Sequence, residues 1–153
     1  MNKKDTVVFD LDGTLLDTLE DLKNSVNYAM TQCGYPEHTL DEVRRYVGNG
    51  ILLLMQRAIP GGKDDPNFDK AFTLFKEHYG KHCNDTTKSY AGIMELLHTL
   101  KENNIKIAIV SNKADFAVKE LNAIYFKDLI PVAIGEKESE GIRKKPAPDT
   151  VIE

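Results

Sequence analysis

Only two cysteines, Cys33 and Cys83, occur in this 153-residue chain, basic charge is not in excess, and no apolar run is long. Each shortage excludes a class. Two cysteines without metal-like spacing suggest neither a disulfide scaffold nor a zinc site, so the default setting is reduced and cytoplasmic. A net charge of −4 and a pI near 5.6 argue against a nucleic-acid or anionic-membrane binder that works through bulk charge. Any anion site must then come from a few local cations. The longest apolar runs, such as residues 105–110, are too short to span a bilayer. Met1-Asn2-Lys3-Lys4-Asp5 leads straight into an apolar segment, which predicts no signal peptide. Internal repeats and low-complexity segments are missing as well. With 41% hydrophobic and 29% charged residues, the chain reads as an ordinary globular domain, or a domain with a small insert.

What is present begins with Thr6-Val7-Val8-Phe9-Asp10-Leu11-Asp12-Gly13-Thr14. Val7, Val8 and Phe9 leave no polar alternation, which predicts a strand buried on both faces. After Asp17 the pattern turns helical. Thr18 is a candidate cap, with Asp21 where a capping box usually has Glu or Gln, for a helix through Leu19, Leu22, Val26 and Met30. Gly34-Tyr35-Pro36 breaks it. A second helix starts at Thr39 or Asp41 and ends at Val47, a third spans 51–59, and a fourth runs from about Phe68 to His82. From Tyr90 helices and strands alternate: helix 92–103, strand 105–110, helix 115–125, strand 130–134. Strands alternating with helices imply a parallel sheet. The economical organisation is an α/β domain (1–16 and 84–153) with a helical insert (17–83) after its first strand.

Three strand ends carry polar clusters, and in such a sheet ligands bind beyond the carboxyl ends of the strands. Asp10 and Asp12 fit either a pair of acids sharing nucleophilic and proton-transfer work or a strand-end turn. Gly13 would let the backbone approach a ligand. A calcium loop fails, because Gly13 comes two positions too early and no acid follows at the required place. Ser111-Asn112-Lys113 fits either an oxyanion or phosphate site or a helix N-cap; Lys113 fits the phosphate site or solvent equally. Arg143-Lys144-Lys145-Pro146-Ala147-Pro148-Asp149 fits either a solvated basic turn or a lysine aimed by flanking prolines. His78 and His82 have zinc-like spacing on a helix, but without a third ligand they read as an exposed polar face.

Taken together, Asp10-Leu11-Asp12-Gly13-Thr14, Ser111, and Lys145 before Pro146-Ala147-Pro148-Asp149 resemble the three successive motifs of the haloacid dehalogenase-like superfamily of hydrolases. The likeness is greatest to its phosphoglycolate phosphatase-like members with a helical cap, and it covers essentially the whole chain. It implies a Rossmann-like three-layer core with a parallel sheet plus an α-helical cap inserted after the first strand. It implies a phosphatase acting on a small phosphomonoester, with Asp10 as nucleophile and Asp12 as proton donor and acceptor. It implies Mg2+ held by the Asp10 carboxylate and the Asp12 carbonyl. Ser111 and Lys145 would hold the phosphoryl group, with Thr14 and the backbone N–H of Asn112 as further contacts, and Gly48-Asn49-Gly50 would either help select substrate or only turn the chain between helices. A dehalogenase has no use for Asp12, whereas a sugar-phosphate mutase would keep every motif. The family's fourth motif, an acidic pair completing the metal site, has no counterpart here. A further βα unit needs about 30 residues, and eight follow Lys145. The resemblance thus implies a sheet that is incomplete, with the Asp10 strand as an exposed hydrophobic edge. It also implies a truncated chain, weak or inactive alone; the rival from another class is a non-catalytic phosphate-binding relative.

Overall fold

The computed structural model describes residues 4–152. In chain order it has β1 (Thr6–Phe9), β2 (Leu16–Asp17), α1 (Leu19–Gln32), α2 (Leu40–Tyr46), α3 (Ile51–Ala58) and α4 (Phe68–His82). Then come β3 (Lys88–Ser89), α5 (Ile93–Glu102), β4 (Lys106–Ala114), α6 (Asp115–Tyr125), β5 (Val132–Glu136) and α7 (Asp149–Ile152). Two compact units result, Met1–Asp17 with Ser89–Glu153, and Thr18–Lys88. Among the described residues no helix is long and apolar enough to cross a membrane.

The first unit is α/β and Rossmann-like, built on a parallel sheet ordered β1-β4-β5. Its register pairs Val7 with Ile107, Phe9 with Ile109, and Ile109 with Ala133. Side chains alternate along a strand, so this row faces one core. There Ile107 and Ile109 meet Leu97 from α5 and Val118 and Leu121 from α6, with Leu11, Leu15 and Phe126. Each such side chain contributes about 1.5–3 kcal/mol when fully buried. The alternate row is Val8, Ala108 and Val132, and Val8 and Val132 stay 45% and 48% exposed. The expectation that β1 is buried on both faces is therefore wrong. A run of apolar residues reports hydrophobicity, not coverage, and β1 lies at the sheet's edge with a single strand partner among the described residues.

Two boundaries also differ from expectation. β5 starts at Val132 because Ala108 fixes its register, while Leu129 and Ile130 fold back with N–H bonds to the Phe126 carbonyl. β4 continues through Ser111-Asn112-Lys113 to Ala114, so neither Ser111 nor Asn112 caps α6. Between Val110 and Ala114, four steps along β4 are matched by two along β5, from Ile134 to Glu136. The regular register is thus interrupted across Ser111, Asn112 and Lys113, and bulges of this kind re-aim side chains.

The second unit is helical, with its own core. α1 contributes Leu22, Val26, Ala29 and Met30; α4 contributes Phe68, Ala71, Phe75 and Tyr79 at helical spacing; Val43, Leu54, Met55 and Ala58 come from α2 and α3. Thr39 and Glu42 form a reciprocal capping box on α2. Thr18 stands at the N-cap of α1, but its side chain makes no capping bond. Asp21 is not its partner either. It is 1% exposed and accepts N–H and Oγ–H bonds from Thr86 and Thr87 at 2.8–3.0 Å. Burial pushes its pKa up, but these bonds outweigh burial and leave it below the ordinary carboxylate value. His78 is not on a plain exposed face. Its ring stacks between Tyr28 and His82, at 4.4 and 4.3 Å, and its Nδ1 shares a 2.8 Å hydrogen bond with buried Ser25.

Candidate active site

The Asp-x-Asp spacing has a local cause. Just past the end of β1, Leu11 is fully buried, while Asp10 on one side of it is exposed and Asp12 on the other is partly exposed. The chain then folds over the Leu11 carbonyl, which accepts N–H bonds from Thr14, Leu15 and Leu16 at 3.0–3.2 Å. Gly13 closes the turn at φ +75°, donating to the Leu16 carbonyl at 2.9 Å. A residue with a Cβ would pay about 1–2 kcal/mol for that conformation.

Each acid has its own cation. Lys145 Nζ lies 3.0 Å from Asp10 Oδ1, and Lys113 Nζ lies 3.0 Å from Asp12 Oδ1. Asp10 Oδ1 also accepts the Leu11 N–H at 2.8 Å; among the described residues Asp10 Oδ2 takes no hydrogen bond. The carboxylate is thus fixed through one oxygen and exposed, at 48%, with the other available. Lys113 is the better buried of the two lysines, its side chain 4% exposed against 29% for Lys145. An ammonium this enclosed requires an anion, because leaving it unpaired costs several kcal/mol.

The bulge in β4 organises the remaining groups. Ser111 is 2% exposed, and its Oγ accepts the Lys113 N–H at 3.1 Å, which leaves its own hydrogen to donate. The Asn112 side chain grips the Lys145 main chain twice: Oδ1 accepts the Lys145 N–H at 2.9 Å, and Nδ2 donates to the Lys145 carbonyl at 3.2 Å. Across from the bulge, Gly135 packs directly against the backbone of Lys113 and Asp115. Its N–H donates to Asp115 Oδ1 at 2.9 Å. Burial raises the Asp115 pKa, but this bond and Lys119 outweigh burial and hold it below the usual carboxylate range.

Of the residues singled out in the sequence, Asp10, Lys145 and Asn112 are thus joined in one chain of contacts, and Asp12 is joined through Lys113 to Ser111 in a second. Thr14 lies in the exposed turn, its N–H on the Leu11 carbonyl. Gly48, Asn49 and Gly50 belong to the helical unit; Gly48 and Gly50 have φ of +112° and +88°, and Arg57 donates to Asn49 Oδ1 and the Tyr46 carbonyl. His78 and His82 form no metal cluster, since the described residues contain no group of three His, Cys, Asp or Glu able to hold an ion. Lys113, left between phosphate and solvent by the sequence, faces Asp12. Gly135 lies inside β5 because that strand runs on to Glu136, two residues past the predicted end, so its sequence position gave no strand-glycine signal.

A family model for haloacid dehalogenase-like hydrolases matches residues 7–153. The phosphoglycolate phosphatase of Nitrosospira multiformis is 33% identical over 147 residues, covering 93% of this chain and 64% of the relative. That of Thiobacillus denitrificans is 35% identical over 113 residues, covering 71% of this chain and 50% of the relative. The chain therefore spans under two thirds of the length of both relatives. A crystal structure of a predicted phosphoglycolate phosphatase from Haemophilus somnus superimposes with a TM-score of 0.85 at 28% identity, covering 97% of this chain and 68% of that one. The chain belongs to the haloacid dehalogenase-like hydrolases.

Proposed function

We propose that the protein is a magnesium-dependent phosphatase that hydrolyses a small phosphomonoester resembling phosphoglycolate through an aspartyl-phosphate. The observation carrying this reading is the Asp10 carboxylate, held through Oδ1 by Lys145 while Oδ2 takes no hydrogen bond among the described residues. Asp10 Oδ2 attacks phosphorus as the ester P–O bond breaks, and Asp12 gives its proton to the departing oxygen. Water then attacks the phosphorus of the aspartyl-phosphate, Asp12 takes the proton, and the bond to Asp10 breaks to release orthophosphate. Lys145 and the Ser111 hydroxyl hold the phosphoryl oxygens, with the backbone N–H of Asn112 and Thr14 beside them. Lys145 also offsets repulsion between Asp10 and the incoming anion.

The donor chemistry fits a hard ion. The Asp10 carboxylate and the Asp12 carbonyl supply oxygen ligands, and Mg2+ is commonly held by one or two carboxylates with waters and substrate phosphate completing its shell. When bound, Mg2+ would neutralise charge on the phosphoryl group. In the same proposal residues 1–16 and 84–153 form the catalytic core and 17–83 the cap. Gly48, Asn49 and Gly50 help select substrate, and the two free cysteines suit a cytoplasmic setting.

Turnover of phosphomonoesters by the purified protein tests this reading. Asp10→Asn is expected to lower the rate on the order of 10^4-fold, and chelation of divalent metal to abolish it. Equal turnover with and without Mg2+, or after Asp10→Asn, would show the mechanism to be wrong.

A further inference from the structure

We infer that Asn112 is a positioning residue whose side chain, acting as a strand-like partner for the Lys145 main chain, sets where the Lys145 ammonium sits relative to Asp10. The inference rests on the reading of Lys145 as the cation that receives the phosphoryl group. Its warrant is geometric. Lys145 lies in a loop between the short helical turn at Glu138–Glu140 and α7, a setting that by itself would leave a long side chain free to wander. Around Lys145 the loop is tied by the Lys144 Nζ contact with Glu138 at 3.2 Å and by the Ala147 N–H on the Lys144 carbonyl at 3.0 Å, and by two further sets of contacts. At its ends, Arg143 Nε and Nη2 form a bidentate pair with Asp149 at 2.9 and 2.7 Å, and the Arg143 N–H donates to the same carboxylate at 3.1 Å. In its middle, the only Lys145 main-chain groups that can bond, one N–H and one C=O, are both taken by Asn112.

A primary amide is the one side-chain group short enough for the bulge that offers an acceptor and a donor at peptide-like spacing. Aspartate would set a second acceptor against the Lys145 carbonyl, and serine or threonine would reach only one group. The bulge supplies the other half of the device. It interrupts the β4–β5 register at Asn112, whose side chain pairs with a segment 33 residues away. The Arg143–Asp149 pair is a weaker restraint, since the Arg143 side chain is 73% exposed and solvent screens it. The Lys144–Glu138 pair and the Ala147–Lys144 turn hold Lys145's neighbours, whereas Asn112 holds the Lys145 main chain itself, and on this inference the 3.0 Å contact with Asp10 depends on it.

Trace acetylation of the whole protein with an amine-reactive ester, read lysine by lysine by mass spectrometry, tests this without requiring turnover. Failure of the phosphatase reading would leave its result standing. Asn112→Ala and Asn112→Thr both lose the two-point grip, one by truncation and one with a β-branched residue suited to a strand. In both, Lys145 is expected to react about three- to tenfold faster as it leaves Asp10, while buried Lys113 keeps its wild-type rate. An unchanged Lys145 rate in either variant overturns the inference. So does a parallel rise at Lys113, which would mean that Asn112 merely supports the fold of the bulge.

Discussion

Gly135→Ala is the substitution for which the structure dictates the most. A Cβ at this position would stand 2.4 Å from Asp115 Cα, 2.5 Å from the Lys113 carbonyl oxygen and 2.6 Å from Asp115 N. Carbon atoms in contact sit about 3.5–4.0 Å apart, so the backbone on one side must retreat by about 1 Å. All three obstacles are main chain, and no rotamer change relieves them. Overpacking of this kind costs about 1–3 kcal/mol, and the Gly135 N–H bond to Asp115 would be lost for about 1 kcal/mol more. A total of about 3 kcal/mol lowers the folded-to-unfolded ratio by about two orders of magnitude. Hydrogen exchange is the suitable assay, because it reads the α/β unit apart from the helical one. Protection of β4 and β5 amides is expected to fall about 100-fold, with helical-unit amides little changed. Gly92→Ala supplies the control. Gly92 has φ +83° with nothing within 4 Å of the Cβ position, so strain alone, about 1–2 kcal/mol, should appear there. If Gly135→Ala exchanged like wild type, or no faster than Gly92→Ala, the close approach that forms the bulge would not exist.

The helical unit carries two further tests. Asp21→Asn turns an NH2 group toward Thr86 and Thr87 and is expected to cost about 2–3 kcal/mol, seen as lower thermal stability of this unit by circular dichroism. Because the Asp21 pKa is depressed, its contribution is present above the ordinary carboxylate value and lost as pH falls through the folded one; an Asn variant with unaltered acid stability would contradict this. His78 has its pKa pushed down by burial and then by His82, so the unfolded chain takes up the proton first. Stability of the helical unit should be full above about pH 6.5 and decline below it, and His78→Gln should flatten that slope; an equal slope in the variant would remove His78 as its source.

Elements were legible where their cause is local. The spacing of Ala71, Phe75 and Tyr79 forces a helix whatever surrounds it, and α4 runs from Phe68 to His82 as the pattern requires. The grouping of Asp10 with Asp12 was legible for the same reason: they flank one buried leucine just past a strand end. Where the cause lies elsewhere in the chain, local pattern misleads. Residues 130–134 look like a strand, yet the ladder starts at Val132, because its register is set by Ala108. Val8 looks like a core residue, yet its exposure depends on what covers the far face of the sheet.

The same distinction runs through the site. Ser111 and Asn112 have the composition of a helix cap, and a single segment gives no reason to read them otherwise. What removes them from that role is a bulge, and the bulge exists because Gly135, on another strand, lets the Lys113–Asp115 backbone come within reach. Within the bulge Asn112 grips Lys145, and Lys113 meets Asp12. A glycine and an amide with no acid–base chemistry of their own thus govern where two cations meet two carboxylates. Motif letters name the groups that could react. Their spacing to one another is set by neighbours that need not react themselves, which is why a substitution at Gly135 should disturb the site from outside it and one at Asn112 should misplace Lys145 from within it.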